Sequence, residues 1–151
     1  MMNINDIKNH IDNKSRLIGV DIGSKRVGLS ISDENRKIAT PLKTINYINI
    51  NILIDELEKI LNENNIGAII FGNPKNMDGT EGASSQSVKD KIKLISKKIA
   101  IPIILWDERL STVGAFNLSS QLDVNVSKRV KNIDKNAAAF ILQGALDFLN
   151  N

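Results

Sequence analysis

Cysteine is absent from the 151 residues, and histidine occurs once. The first absence excludes disulfides and thiolate metal sites and fits a reducing compartment. The one histidine, His10, stands in a polar, asparagine-rich stretch covering residues 1–15, where a surface position is expected. No window of about 18 apolar residues occurs, which excludes a membrane-spanning helix. The start of the chain has no apolar core of the secretory type, so the expected location is the cytoplasm. No internal repeat or linker divides the sequence. It therefore reads as a polar N-terminal extension, 1–15, followed by one domain, 16–151.

Hydrophobic residues make up 42% of the chain, enough for a real core, and the formal net charge is only +3. The distribution of charge says more than its sum. Lys89, Lys91, Lys93, Lys97 and Lys98 cluster around Asp90, and Lys128, Arg129, Lys131 and Lys135 around Asp134. Such groups suit a polyanion that must approach a negative site, and equally suit two solvated helix faces.

Residues 16–21 form a short apolar run ending in Asp21, as a buried strand reaching a sheet edge would. A glycine-containing turn and an alternating segment from Val27 to Ser32 predict a hairpin, and residues 36–46 a third strand interrupted at Pro41. From Ile50 the period becomes helical through Leu53, Ile54, Leu57 and Leu61, ending at Asn64-Asn65. Ile66 to Phe71 is a continuous apolar strand, and residues 72–82 a glycine-rich loop. Val88, Ile92, Ile95 and Ile99 mark a second helix. Ile101 to Trp106 is another buried strand, followed by Asp107-Glu108. A short helix around Val113 and Phe116, a polar basic loop over 119–132, and a final helix opened by Asp134 complete the order β-β-β-α-β-α-β-α-α. This predicts an α/β domain with a mixed five-stranded sheet, three strands antiparallel and then two parallel, covered by helices.

Asp21 and the Asp107-Glu108 pair each follow a buried strand, and in α/β sheets ligands gather beyond the carboxyl ends of the strands. If these acids converge with Asp134, their repulsion calls for a cation, and hard oxygen ligands select magnesium or manganese. Two such ions activate water and stabilise a leaving oxygen at phosphorus with no histidine, cysteine or serine nucleophile. Each acid also has a plainer reading: Asp134 as an N-cap, Asp107 as a turn residue, Asp21 as an ordinary hairpin carboxylate. Spacing alone leaves both readings open.

Four segments resemble, in order and spacing, the motifs of the YqgF/RuvX family of pre-16S rRNA nucleases and Holliday-junction-resolvase homologues. They are Val20-Asp21-Ile22-Gly23-Ser24-Lys25-Arg26-Val27-Gly28, the stretch from Gly72 to Glu81, Asp107-Glu108-Arg109-Leu110-Ser111-Thr112, and Ile133-Asp134-Lys135-Asn136-Ala137-Ala138-Ala139. The resemblance runs from about Leu17 to Leu149. Asn73 departs from the family's usual apolar residue, and Gly114 from its usual acid.

This resemblance implies an RNase H-like fold with helices on both faces of the sheet. It implies a nuclease dependent on Mg2+ or Mn2+, with catalytic acids Asp21, Asp107, Glu108 and Asp134. The metal ligands are expected to be Asp21, Asp107 and Asp134. Asp107 is preferred over Glu108 because it directly follows the strand, and the order reverses if the strand continues one residue further. Lys25, Arg26, Arg109, Lys128, Arg129 and Lys131 are the expected nucleic-acid contacts, although Arg109 is equally suited to orient Asp107 or Glu108 as a bidentate partner. The expected role is 5′-end processing of pre-16S rRNA in ribosome biogenesis, with an rRNA precursor or ribosomal particle as partner, no membrane, and a monomer or homodimer. The alternatives are a junction-resolving DNA endonuclease acting on branched DNA, or a non-catalytic RNA- or ribosome-binding module. Asp21-Ile22-Gly23-Ser24 also resembles the first phosphate loop of actin-like and sugar-kinase ATPases. Those enzymes hold nucleotide between two such domains, and this chain supplies one.

Overall fold

The computed structural model describes residues 1–46, 49–76, 78–110 and 126–151, with side chains from 136 onward in the last stretch. Its strands are β1 (Arg16–Ile22), β2 (Arg26–Ser32), β3 (Ala39–Asn46), β4 (Ile66–Asn73) and β5 (Ile103–Asp107). They form one sheet in the order β3-β2-β1-β4-β5. β1, β2 and β3 pair antiparallel, and β4 and β5 join parallel to β1, as the sequence predicts.

Period-two alternation assigns the faces. Ile18, Val20, Ile69, Phe71 and Ile103 point into one cluster, under α1 (Ile50–Glu63) and α2 (Ala83–Ser96). Helix α1 contributes Leu53, Ile54, Leu57 and Ile60 to it and starts at Asn49, whose side chain accepts from the Asn51 N–H. Helix α2 contributes Val88, Ile92 and Ile95. Leu17, Ala68, Ile70, Ile104 and Trp106 point the other way, onto α3 (Val126–Leu149), which supplies Ile141, Leu142, Ala145, Leu146 and Leu149. Helices thus cover both faces. Trp106 is a core residue and meets the Phe148 ring edge-on, with centroids 5.7 Å apart.

Helix α3 lies unusually close to β1. A methyl group on Gly19 would stand 2.7 Å from the Ala138 carbonyl oxygen and 2.8 Å from Leu142 Cβ. The buried Ser30 hydroxyl, beside Gly19 on β2, donates to that same Ala138 carbonyl at 2.8 Å. At the other end, Asn150 donates to the Arg36 carbonyl, and Arg36 in turn donates to the Ser15 carbonyl just before β1. The helix therefore runs antiparallel to β1, with its amino-terminal part towards the end that carries Asp21.

Some expectations change, among them the start of β5, which is Ile103 rather than Ile101. Asp134 does not open the last helix: α3 starts at Val126, so Asp134 lies inside it, and residues 126–132 are helical rather than a loop. Polar and basic residues carry no apolar stripe, so the first turns of α3 gave no helical signal. β4 continues to Asn73, two residues past the apolar run. The helix expected around Val113 and Phe116 falls outside the described residues. In the N-terminal stretch, Ile4–Asn9 forms a 3-10 helix capped by Asn3, and Ile7 is fully buried against the α3-side cluster. His10 is exposed.

Candidate active site

Asp21 is the penultimate residue of β1 and faces the α3 side, two residues beyond Gly19. Its neighbours in the sheet on that level are glycines. Gly28 is its partner on β2, and Gly72 on β4 follows Phe71, the partner of Val20. The acid thus stands on a floor from which both flanking side chains are missing.

Across this floor comes Glu108. β5 is separated from β1 by β4, so an acid on β5 must span a whole strand, about 9–10 Å, to meet Asp21. Glu108 does so by lying over Gly72: a methyl group there would stand 2.6 Å from Glu108 Oε1 and 2.9 Å from its Cγ. Glu108 and Asp21 share a side-chain hydrogen bond. Burial first, then that bond and the charges of Asp21 and Asp107, push the Glu108 carboxyl up to about 8. The two carboxyls thus stand close enough to share a hydrogen bond, and the proton of that bond is favoured on Glu108.

Asp107 points elsewhere. Arg109 grips it with Nε at 3.1 Å from both carboxylate oxygens, Nη2 at 2.7 Å from Oδ2, and its backbone nitrogen at 3.0 Å from Oδ1. The guanidinium holds the Asp107 carboxyl below its ordinary range, despite partial burial. Arg109 thus takes the orienting role that the sequence left open, and its guanidinium also lies against Gly79, whose φ of +90° needs glycine. Ile104 and Trp106 face α3, so Asp107, the last residue of β5, shares the side of Ile103 and Leu105, while Glu108 opens the 3-10 turn Glu108–Leu110 beyond the strand.

The 74–82 loop is anchored at both ends. Asn73, 4% exposed, accepts from the buried Ser85 hydroxyl of α2 and donates to Glu81 at 3.2 Å. Glu81 is also paired with Lys89. The polar residue that departs from the family pattern is thus matched by a hydroxyl on the facing helix.

Two clefts open beside Asp21. One, of about 490 Å³, is lined by Asp21, Glu108 and Gly23 together with Ser84, Ser87 and Lys91 of α2. The second, of about 260 Å³, is lined by Asp21, Lys25, Arg26 and Thr44. Lys25 and Arg26 thus lie beside the acid as the sequence suggests. The side chains of Lys128, Arg129, Lys131 and Asp134 lie outside those described; their backbone belongs to α3. Among the described residues no third acid or histidine joins Asp21 and Glu108. Sequence reading missed Gly72, whose importance is a missing atom, and the α2 wall of the larger cleft.

The RuvX family model, described as Holliday junction resolvase, matches residues 15–148. A protein of Pelagibacter ubique (strain HTCC1062), named "Putative pre-16S rRNA nuclease", is 68% identical over 151 residues, covering 100% of both chains. One of the same name from Methylocella silvestris is 39% identical, covering 99% of this chain and 92% of the relative. Among solved structures, Thermus thermophilus RuvC in complex with a Holliday junction superposes with a TM-score of 0.55 at 11% identity, covering 91% of this chain and 96% of that one. The yeast mitochondrial resolvase Ydc2 does so with a TM-score of 0.51 at 14% identity, covering 97% and 84%. These two likenesses establish the fold, which is RNase H-like. With its family model spanning almost the whole sequence and a full-length relative two-thirds identical, the chain belongs to the RuvX (YqgF) family of RNase H-like nucleases.

Proposed function

We propose that the chain is a divalent-metal-dependent nuclease of the cytoplasm that processes the 5′ end of pre-16S rRNA during ribosome biogenesis. The observation that carries this reading is the convergence of Asp21 and Glu108 over Gly72. The donor set fits Mg2+ or Mn2+: both are hard oxygen ligands, and two carboxyls that must share a proton at neutral pH are arranged for a cation. Asp21 and Glu108 would hold it, with Asp134 as a third ligand from α3. When bound, such an ion lowers the pKa of a water and stabilises the oxygen leaving phosphorus.

The remaining work falls to the chain itself. Asp107 keeps Arg109 oriented and is not a ligand in this reading, so Glu108 takes the place that the sequence assigned to Asp107. Lys25 and Arg26 hold the nucleic-acid backbone beside the acids, joined by Lys128, Arg129 and Lys131. The nuclease domain is 16–151, and residues 1–15 contribute Ile7 to its core. The rRNA substrate follows the names of the relatives. A four-way DNA junction is the second reading, favoured by the description of the family model.

The deciding experiment incubates a labelled pre-16S rRNA fragment and a four-way DNA junction with Mg2+, Mn2+ or chelator, using wild type beside Glu108→Gln. Metal-dependent cutting of the RNA, lost in the variant, is expected. Cutting of the junction alone would replace the substrate assignment, and undiminished cutting in chelator would overturn the metal assignment.

A further inference from the structure

Resting on the nuclease reading, we infer that Lys91, Ser84 and Ser87 of α2 form a second backbone-phosphate subsite, across the acid pair from Lys25 and Arg26. The three residues are spaced i, i+3 and i+7, which puts them on one face of the helix. All three line the 490 Å³ cleft that Asp21 and Glu108 also line. Val88, between Ser87 and Lys91 in sequence, is buried at 3% exposure and fixes the helix's rotation. The helix therefore presents two hydroxyls and an ammonium from a rigid element rather than from a loop.

The two clefts meet at Asp21, Gly23 and Ser24, which line both. A strand whose scissile phosphate lies at the acids would run from one cleft into the other. One flanking phosphate then meets Lys25 and Arg26, and the flanking phosphate on the other side meets Lys91. The alternating charge along this path is cationic, acidic, cationic, which suits a polyanion drawn across a metal-binding centre. No aromatic side chain is among the described residues lining either cleft, so base stacking contributes nothing there. The subsite accordingly recognises a sugar-phosphate backbone, independent of sequence. Lys89 and Lys93 of α2 do not line this cleft, and Lys97, which caps the far end of the helix, is exposed away from it.

The test measures the affinity of the full chain for a fluorescein-labelled single-stranded RNA, with Ca2+ in place of Mg2+ and the RNA checked intact on a gel. Lys91→Gln is expected to raise Kd about fivefold, the loss of one charge-assisted contact. The slope of log K against log salt should shrink by about 0.7, the value for one single-strand phosphate. Ser84→Ala with Ser87→Ala should raise Kd about threefold, Lys91→Arg should restore most of the affinity, and Lys97→Gln should change it less than twofold. Equal effects of Lys91→Gln and Lys97→Gln, or no RNA binding by the wild type, would overturn the subsite. If the wild type fails to cleave any substrate yet shows the Lys91 dependence, the subsite stands and the nuclease reading falls. If it cleaves and Lys91→Gln matches wild type in Kd, the reverse holds.

Discussion

Asp107 and Glu108 are consecutive acids, yet they occupy opposite electrostatic situations. Asp107 is closed in a bidentate pair with Arg109 and held below the ordinary carboxylate range. Glu108 is laid over Gly72 against a second carboxyl and held well above it. The contrast teaches that proximity in sequence says little about role when a strand ends between two residues. Asp107 is the last residue of β5 and points away from α3, whereas Glu108 opens a 3-10 turn and lies over Gly72. The face covered by α3 also carries Asp21, and the face covered by α2 does not.

The largest way to break this contrast is to remove the converging acids. Asp21→Asn and Glu108→Gln should each lower cleavage by more than about a hundredfold, because even residues that merely support metal ligands cost 10–100-fold. Circular dichroism should show the fold retained. Asp107→Asn is the counter-experiment, and it should cost about tenfold or less in the same assay. A larger loss from Asp107→Asn than from Glu108→Gln would exchange their roles.

Gly72→Ala tests the floor rather than the acids. The new methyl would meet Glu108 Oε1 and Ile141 Cδ1, each at 2.6 Å. Destabilisation of about 1–3 kcal/mol is expected in thermal or urea unfolding, together with loss of the raised Glu108 pKa. Wild-type stability with wild-type cleavage would mean that Glu108 does not lie over this position.

The pH dependence is the subtlest test. Because the folded state raises the Glu108 carboxyl from 4.5 to about 8, the folded protein binds the extra proton between those values. Its contribution to metal-free stability is present in full below about pH 4.5 and is lost as pH rises through about 8. Urea midpoints in chelator should fall across this window, and Glu108→Gln should flatten the trend. Saturating Mg2+ should also flatten it by displacing the proton. An unchanged slope in Glu108→Gln would assign the titration to another group.

Much of this was legible beforehand. The apolar runs at Arg16–Asp21, Ile66–Phe71 and Ile101–Trp106 and the helical spacing from Ile50 to Leu61 predicted the mixed sheet and its covering helices. The first turns of α3 were not legible, because a polar, basic stretch carries no periodic apolar signal. The buried Ile7 was not anticipated, because it stands in a stretch whose asparagines suggested solvent. Asp21 was singled out correctly as a strand-end acid, while its partner depended on where β5 stopped.

Sequence alone determined the order of elements, the two-face alternation of each strand and the placing of acids at strand ends, since these follow from local pattern and the geometry of a single strand. Only the tertiary structure decided which acids meet. That choice depends on β4 lying between β1 and β5, on Gly72 leaving room for a carboxyl to cross it, and on Arg109 turning back to neutralise Asp107. Each is a contact between chain segments brought together by packing, and no local pattern encodes the distance between them.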